Sequence, residues 1–355
     1  MKSGSKIIVL VLLLSFTACT SHFRMTTRVH RDGTVERSVY AFADSAFRAG
    51  DRSTTPFLFL LDANWQVTCL DSFELFDSFG EKQKVNVKVS RSLKGAEDML
   101  FFTPKEEWMR SLVAPQEKLE KHFRWFYTYY TYSCSFGEIT EKGPVSMDKY
   151  LTKQEQRLLF QGDLNGCVDM NGIELSEKLN QLTTQFQQWL YQTQFELAYG
   201  VVEQFLDALP DTVRLSQIRR DKMTVFAHDK TLKDKPDCSP EYICKLLDEQ
   251  YGGDFFTEMY KARGEAMDKE FEKRGRIVEL FANQIKFELA MPGKLIAANT
   301  QLTEDNQLIW KVDGYRLLPG EYVLKAESRT ANVWTFWLTG VLLLFIGYVL
   351  IKKRK

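Results

Sequence analysis

The chain has no Cys-x-x-Cys pair and only four histidines, His22, His30, His122 and His228, none at HxH or HxxxH spacing. A zinc ribbon, a thiol-redox motif and the common paired-imidazole metal sites are therefore not expected. Gly-x-Ser-x-Gly, the P-loop and Gly-x-Gly-x-x-Gly are missing as well. Without them there is no sequence sign of a nucleophile elbow, a phosphate cradle or a dinucleotide fold, and no cofactor is expected. Asp and Glu are absent from residues 1–19 and from 333–355. Those two ends hold six basic residues, which leaves the body with 41 basic against 47 acidic residues. Nucleic-acid binding needs a strongly basic surface, so no nucleic-acid partner is expected, nor a polybasic membrane patch on the body.

What is present starts at the ends. Residues 1–19 read MKSGSKIIVLVLLLSFTAC. Lys2 and Lys6 form a basic start, Ile7 to Phe16 a short apolar stretch, and Thr17-Ala18 a small-residue cleavage point, the order of a secretory signal. The four residues Phe16-Thr17-Ala18-Cys19 resemble the lipobox of bacterial lipoproteins, with Phe16 where an aliphatic residue is usual. On that reading Cys19 carries a diacylglycerol, and each buried methylene of the acyl chains adds about 0.8 kcal/mol of anchoring. The other reading is an ordinary signal peptide with an incidental cysteine.

Residues 333–351, VWTFWLTGVLLLFIGYVLI, contain no charge. Nineteen residues of helix reach about 28 Å, enough for a hydrocarbon core of about 30 Å. Trp334, Trp337 and Tyr348 lie toward the two ends of this stretch and four basic residues follow it. The positive-inside rule then puts residues 352–355 in the cytoplasm and the body outside it.

The body reads as α+β. An antiparallel β unit is expected from both flanks, with a helical region inserted and one C-terminal transmembrane helix. The divisions are a signal peptide over 1–18, a β-rich part over 19–145, a helical insertion over 146–282, a β-rich part over 283–332, the span over 333–351 and a basic tail over 352–355. Asp32-Gly33 between alternating residues predicts a two-residue hairpin turn. Phe57 to Leu61, Trp65 to Leu70 and Val85 to Val89 read as short strands. Eight aromatics in Phe123 to Phe136 predict one strand buried on both faces; an aromatic wall for a sugar or apolar ligand is the functional alternative.

Asn171 and Glu174 predict a capped helix start, and Leu175, Leu179, Leu182, Phe186, Trp189 and Leu190 follow at helical spacing. Gly200 marks a kink or division. That 171–209 stripe is either a partner surface or core. Ser239-Pro240 starts another helix, ending at Gly252-Gly253. The Ile285 to Met291, Leu308 to Val312 and Tyr322 to Ala326 alternations are strands.

Cys19 apart, five cysteines remain, Cys69, Cys134, Cys167, Cys238 and Cys244. Cys238 and Cys244 are six positions apart, so a local disulfide is one reading and two small apolar thiols the other. Asp163, Asn165, Asp169, Asn171 and Glu174 fall at ligand positions of a calcium loop, but Val168 stands where the turn requires Gly. The same residues also serve as ordinary loop and cap formers.

Cys19, the Val29 to Val35 segment with Asp32-Gly33, the Phe287 to Gly293 strand with its Pro-Gly end, Asn299, Trp310 and the final span together resemble bacterial envelope lipoproteins of the LppM type. The resemblance implies an α+β envelope protein in contact with envelope lipids or glycolipids and without known catalysis. The expected function is a membrane-anchored, non-catalytic module that binds a protein or lipid near the membrane. The alternative is a hydrolase-like envelope enzyme with a site assembled from distant residues.

Overall fold

The computed structural model describes residues 21–76, 82–94, 102–139, 143–228 and 238–354. Cys19 and the leader lie outside the described residues. The chain forms two compact units, one of Thr20–Glu138 with Asn283–Lys355, the other containing Ile139–Ala282. The fold class is α+β, with a helical region between two β-rich flanks and one apolar C-terminal helix.

The β unit has eleven strands among its described residues. They are β1 (Ser21–Val29), β2 (Val35–Ala41), β3 (Gln66–Phe76), β4 (Lys82–Leu93), β5 (Gln116–Arg124) and β6 (Tyr127–Phe136) before the helical region. After it come β7 (Asn283–Ala290), β8 (Lys294–Ala298), β9 (Thr303–Glu304), β10 (Gln307–Asp313) and β11 (Tyr322–Ala331). Seven form a sheet in the order β3-β4-β2-β1-β7-β10-β9, and four form a second in the order β5-β6-β11-β8. Each sheet contains strands from both flanks.

The pairings are antiparallel with one exception. β1 and β7 run parallel, with Met25 opposite Phe287. The unit is otherwise antiparallel as expected; two strands entering one sheet from opposite flanks need no hairpin between them, and the residues between supply the crossover.

The β1–β2 connection is also longer than the Asp-Gly signal predicts, since the last paired residues are Val29 and Val35. Gly33 takes φ +98°, open to glycine without a Cβ penalty. The Asp32 carboxylate accepts from the Thr34 amide at 2.9 Å and the Thr34 hydroxyl at 2.7 Å.

Period-two burial selects the inner faces. Met25, Val35, Val39, Val85, Val87, Val89, Ile285, Phe287 and Trp310 are buried on the larger sheet, and Tyr130, Tyr132, Phe136, Leu324 and Ala326 on the smaller. Tyr132 meets Phe287 at 6.4 Å between ring centroids. Arg37 of β2 also points into this interior, fully buried, and pairs in fork geometry with Glu117 of β5, one contact being 2.7 Å. Glu117 further accepts from the Tyr132 hydroxyl at 2.5 Å, and Thr27 accepts from Arg37 at 3.0 Å. Burial opposes the guanidinium charge, but the neighbouring Glu117 outweighs it and holds the Arg37 pKa above its ordinary value.

Two predicted strands are corrected. Phe57 to Leu61 makes only one isolated bridge, Phe59 with Pro104. Its rings instead pack with Phe47, Trp65 and Phe102 in an aromatic cluster, so burial rather than a ladder determines their place. The Phe123 to Phe136 run is not one doubly buried strand. It is the end of β5, a turn at Trp125-Phe126 and β6, whose residues are alternately buried and half-buried.

In the helical unit, α1 (Gly172–Asp207) begins with the Asn171/Glu174 capping box and continues through Gly200 without division. Leu182, Phe186 and Trp189 are buried, and the Trp189 indole donates to the Val145 carbonyl at 2.9 Å. Leu175, Leu179 and Leu190 of the same stripe are half-buried, so its middle packs in the unit's core. α2 (Thr212–His228), α3 (Pro240–Tyr251) and α4 (Phe255–Gly275) complete the unit. Asp248 on α3 accepts from the Phe256 and Thr257 amides at 2.9 and 2.7 Å, satisfying the first turn of α4.

Glu117→Gln leaves the Arg37 charge uncompensated in the interior. The expected loss is about 3–5 kcal/mol, measured by urea unfolding in detergent. The double variant Arg37→Met/Glu117→Leu should recover most of that loss, because it removes both buried charges together.

Candidate functional site

The most distinctive surface of the β unit is built where β11 ends. Two residues past Ala331, the last residue of β11, the chain enters α5 (Val333–Arg354), long and apolar enough to cross a membrane by length and composition. Thr335 is buried, and the rest of the helix is exposed or half-buried. Its first turns lie against the tip of the β5–β6 hairpin. That tip pairs Arg124 with Tyr127 and turns through Trp125 and Phe126.

The turn has no glycine, proline or asparagine, and neither of its residues has positive φ. Its backbone is satisfied from outside. The Asn332 amide donates to the Phe126 carbonyl at 2.9 Å, and the Asn332 side-chain amide donates to the Arg124 and Trp125 carbonyls at 3.0 and 3.2 Å. The Asn332 Oδ1 accepts from the Thr128 hydroxyl at 2.8 Å. One asparagine therefore bonds three consecutive carbonyls of the turn and one side chain beside it.

Aromatic rings extend this joint onto α5. Phe123 stacks on Trp334 at 6.2 Å, Trp125 meets the same ring edge-on at 5.9 Å, and Phe126 packs on Phe336 at 4.7 Å. The Trp125 indole donates to the Thr339 hydroxyl at 2.8 Å. Arg124 lies over Tyr129 and Arg329 over Tyr127, so both cations flank the rings. The arrangement has no nucleophile and no acid–base pair. What it can do is hold the β unit to a helix and present an aromatic surface beside it.

Three other sites are weaker. The Arg37–Glu117–Tyr132 constellation is closed to solvent, so a substrate has no access to it. Burial, then the charge of Glu117, raises the pKa of both Tyr132 and Cys134. An open cleft of about 380 Å³ at the sheet end is lined by Arg28, His30, Arg31, Asp305 and Asn306 among others. A second, of about 260 Å³, has Arg24, Arg28, Glu36, Tyr40 and Lys88. Each has a single carboxylate in its lining, whereas paired-carboxylate hydrolysis needs two.

The residues singled out by sequence take these places. Cys238 and Cys244 are both buried and are not joined by a disulfide; Cys134 is buried too, Cys167 half-buried and Cys69 exposed. Burial, then nearby Asp248, pushes the Cys244 thiol up to about 12. In the calcium-loop segment, Asp163 accepts from the Asn165 amide at 3.0 Å, and Asn171 and Glu174 are the capping box of α1. Among the described residues no cluster of three or more His, Cys, Asp or Glu could hold a metal. Asn299 and Trp310, two residues of the sequence resemblance, are bonded to each other at 3.0 Å. Trp125 belongs to the Phe123 to Phe136 aromatic run, whereas Asn332 and Thr339 carry no motif in the sequence. An amide residue directly before an apolar helix was the one available signal, and it does not say which turn it bonds.

Comparison with protein-family profiles and with curated proteins finds no match. Among solved structures, the folded domain of the Mycobacterium tuberculosis LppM protein aligns over 90% of this chain and 94% of its own, at 8% identity and a TM-score of 0.25. Nothing of that domain is carried over to this chain.

Asn332→Ala leaves the Arg124 and Trp125 carbonyls without their side-chain donor, while the backbone amide's bond to Phe126 is kept. The tip should loosen by about 1–3 kcal/mol, seen as faster hydrogen exchange at Phe126–Thr128 while the β1–β7 amides stay unchanged. Thiol labelling of the native protein at neutral pH should modify Cys69 rapidly and Cys244 only after unfolding.

Proposed function

We propose that this chain is a membrane-anchored lipoprotein of the bacterial cell envelope, with diacylglycerol on Cys19 and α5 spanning the membrane. The β unit is then a non-catalytic module that binds a protein or lipid partner close to the bilayer. The observation that carries the reading is the joint between the hairpin tip and α5: the β unit is bonded to the first turns of an apolar helix through Asn332 and Thr339. A module tethered by a loose linker would not need this joint. Lys352, Lys353 and Arg354 at the far end of the helix support a cytoplasmic tail and an extracytoplasmic body. The enzyme alternative has less support, since the Arg37–Glu117–Tyr132 constellation is closed to solvent.

Metabolic labelling with a palmitate analogue tests the anchor: label is expected on the native chain and lost in Cys19→Ala, and equal labelling of both rejects lipidation. A reporter fused after Lys355 should be active only if it folds in the cytoplasm. Activity restricted to the outer side overturns the orientation.

A further inference from the structure

We infer that the tip of the β5–β6 hairpin enters the headgroup–acyl boundary of the bilayer as a second membrane contact, beside the helix that spans it. The inference rests on α5 being a span.

Its first support is register. If Val333 lies at the edge of the hydrocarbon, Thr339, six residues on, lies about 9 Å further along the helix axis. The Trp125 indole is hydrogen-bonded to Thr339 at 2.8 Å, so it is carried below the plane of Val333. That depth matches the roughly 5–10 Å reached by interfacial amphipathic segments.

The second support is polar satisfaction. Backbone in contact with lipid must have its polar groups bonded within the protein. The three tip carbonyls, of Arg124, Trp125 and Phe126, all accept from N–H groups of Asn332, and the Trp125 indole donates to the Thr339 hydroxyl. A tip facing water would need none of these partners.

The third is the surface chemistry. Phe123 is 57% exposed, Trp125 47%, Trp334 57% and Trp337 74%, aromatic area of the kind that gathers at the membrane–water interface. Arg124 lies on the strand just above, placed for headgroup phosphates. The lipid surface is the occupant because the aromatic patch is continuous with the apolar face of α5 itself. With a span and a wedge both fixed, the β unit has one orientation to the membrane rather than free rotation about a tether.

The test uses the full chain in phosphatidylcholine–phosphatidylglycerol vesicles, with an environment-sensitive fluorophore on a single introduced cysteine in a Cys69→Ser/Cys167→Ser background. The labelled positions are Phe123→Cys and Phe126→Cys at the tip, Ile346→Cys in the span and Asp51→Cys on an exposed loop. Each variant is first checked for an unchanged thermal midpoint, and the two tip positions guard against one failing to fold. Lipids with a doxyl group near the headgroup should quench the tip labels by about twofold, while lipids with a doxyl group near the chain end quench Ile346→Cys and neither quenches Asp51→Cys. Quenching of Ile346→Cys with both tip labels as insensitive as Asp51→Cys overturns the wedge and leaves the span standing. An insensitive Ile346→Cys overturns the span, and the wedge with it.

Discussion

The parallel pairing of β1 with β7 is the constraint on which the architecture depends. It places a strand from the start of the chain beside one that follows the whole helical region, and the Arg24–Glu288 ion pair at 2.8 Å closes a separation of 264 residues. A parallel pair needs a crossover. Here β2 to β6 and the helical unit lie within that crossover, so the insertion follows from the sheet topology. The central sheet is complete only when nearly all of the chain is available, a non-local arrangement that costs loop-closure entropy before it is rewarded.

The second constraint joins the two sheets. Arg37 and Glu117 approach from opposite layers into an interior otherwise lined by aromatic and branched side chains. A buried charge survives only when it is paired and its remaining groups are bonded, and Thr27 and Tyr132 supply those bonds. Because the fork of Arg37 is directional, the pair also selects one register of β5 against β2. Apolar packing alone tolerates a wider range of offsets.

The hairpin tip repeats this logic at the edge of the molecule. An aromatic turn without Gly or Asn would leave its carbonyls to water, and Asn332 supplies the donors instead. The residue that starts the apolar helix is thus the one that closes the turn, so the β unit and the helix are one mechanical piece. Because this joint of hydrogen bonds and ring contacts is confined to the first turns of α5, the rest of the helix keeps its exposed apolar face.

Local chemistry was legible along the chain. The Asn171/Glu174 box, the Ser239-Pro240 start, the Gly252 end, the period-two strands and the charge-free stretch before Lys352 each depend on residues close together, and each is found in the structure. Neighbouring residues decide such features because caps, periodicity and helix length are short-range. The β1–β7 direction, the Arg37–Glu117 pair and the split of the aromatic run into two strands at Trp125-Phe126 were not legible. Each is set by a partner far away in sequence: Phe287 for Met25, Glu117 for Arg37, and Asn332 for the turn. The sequence by itself determined the capped helices, most of the alternating strands and the charge-free C-terminal helix. Tertiary structure alone decided which carbonyls and charges those segments satisfy in one another, because a hydrogen bond across the fold is invisible until the fold brings its two halves together.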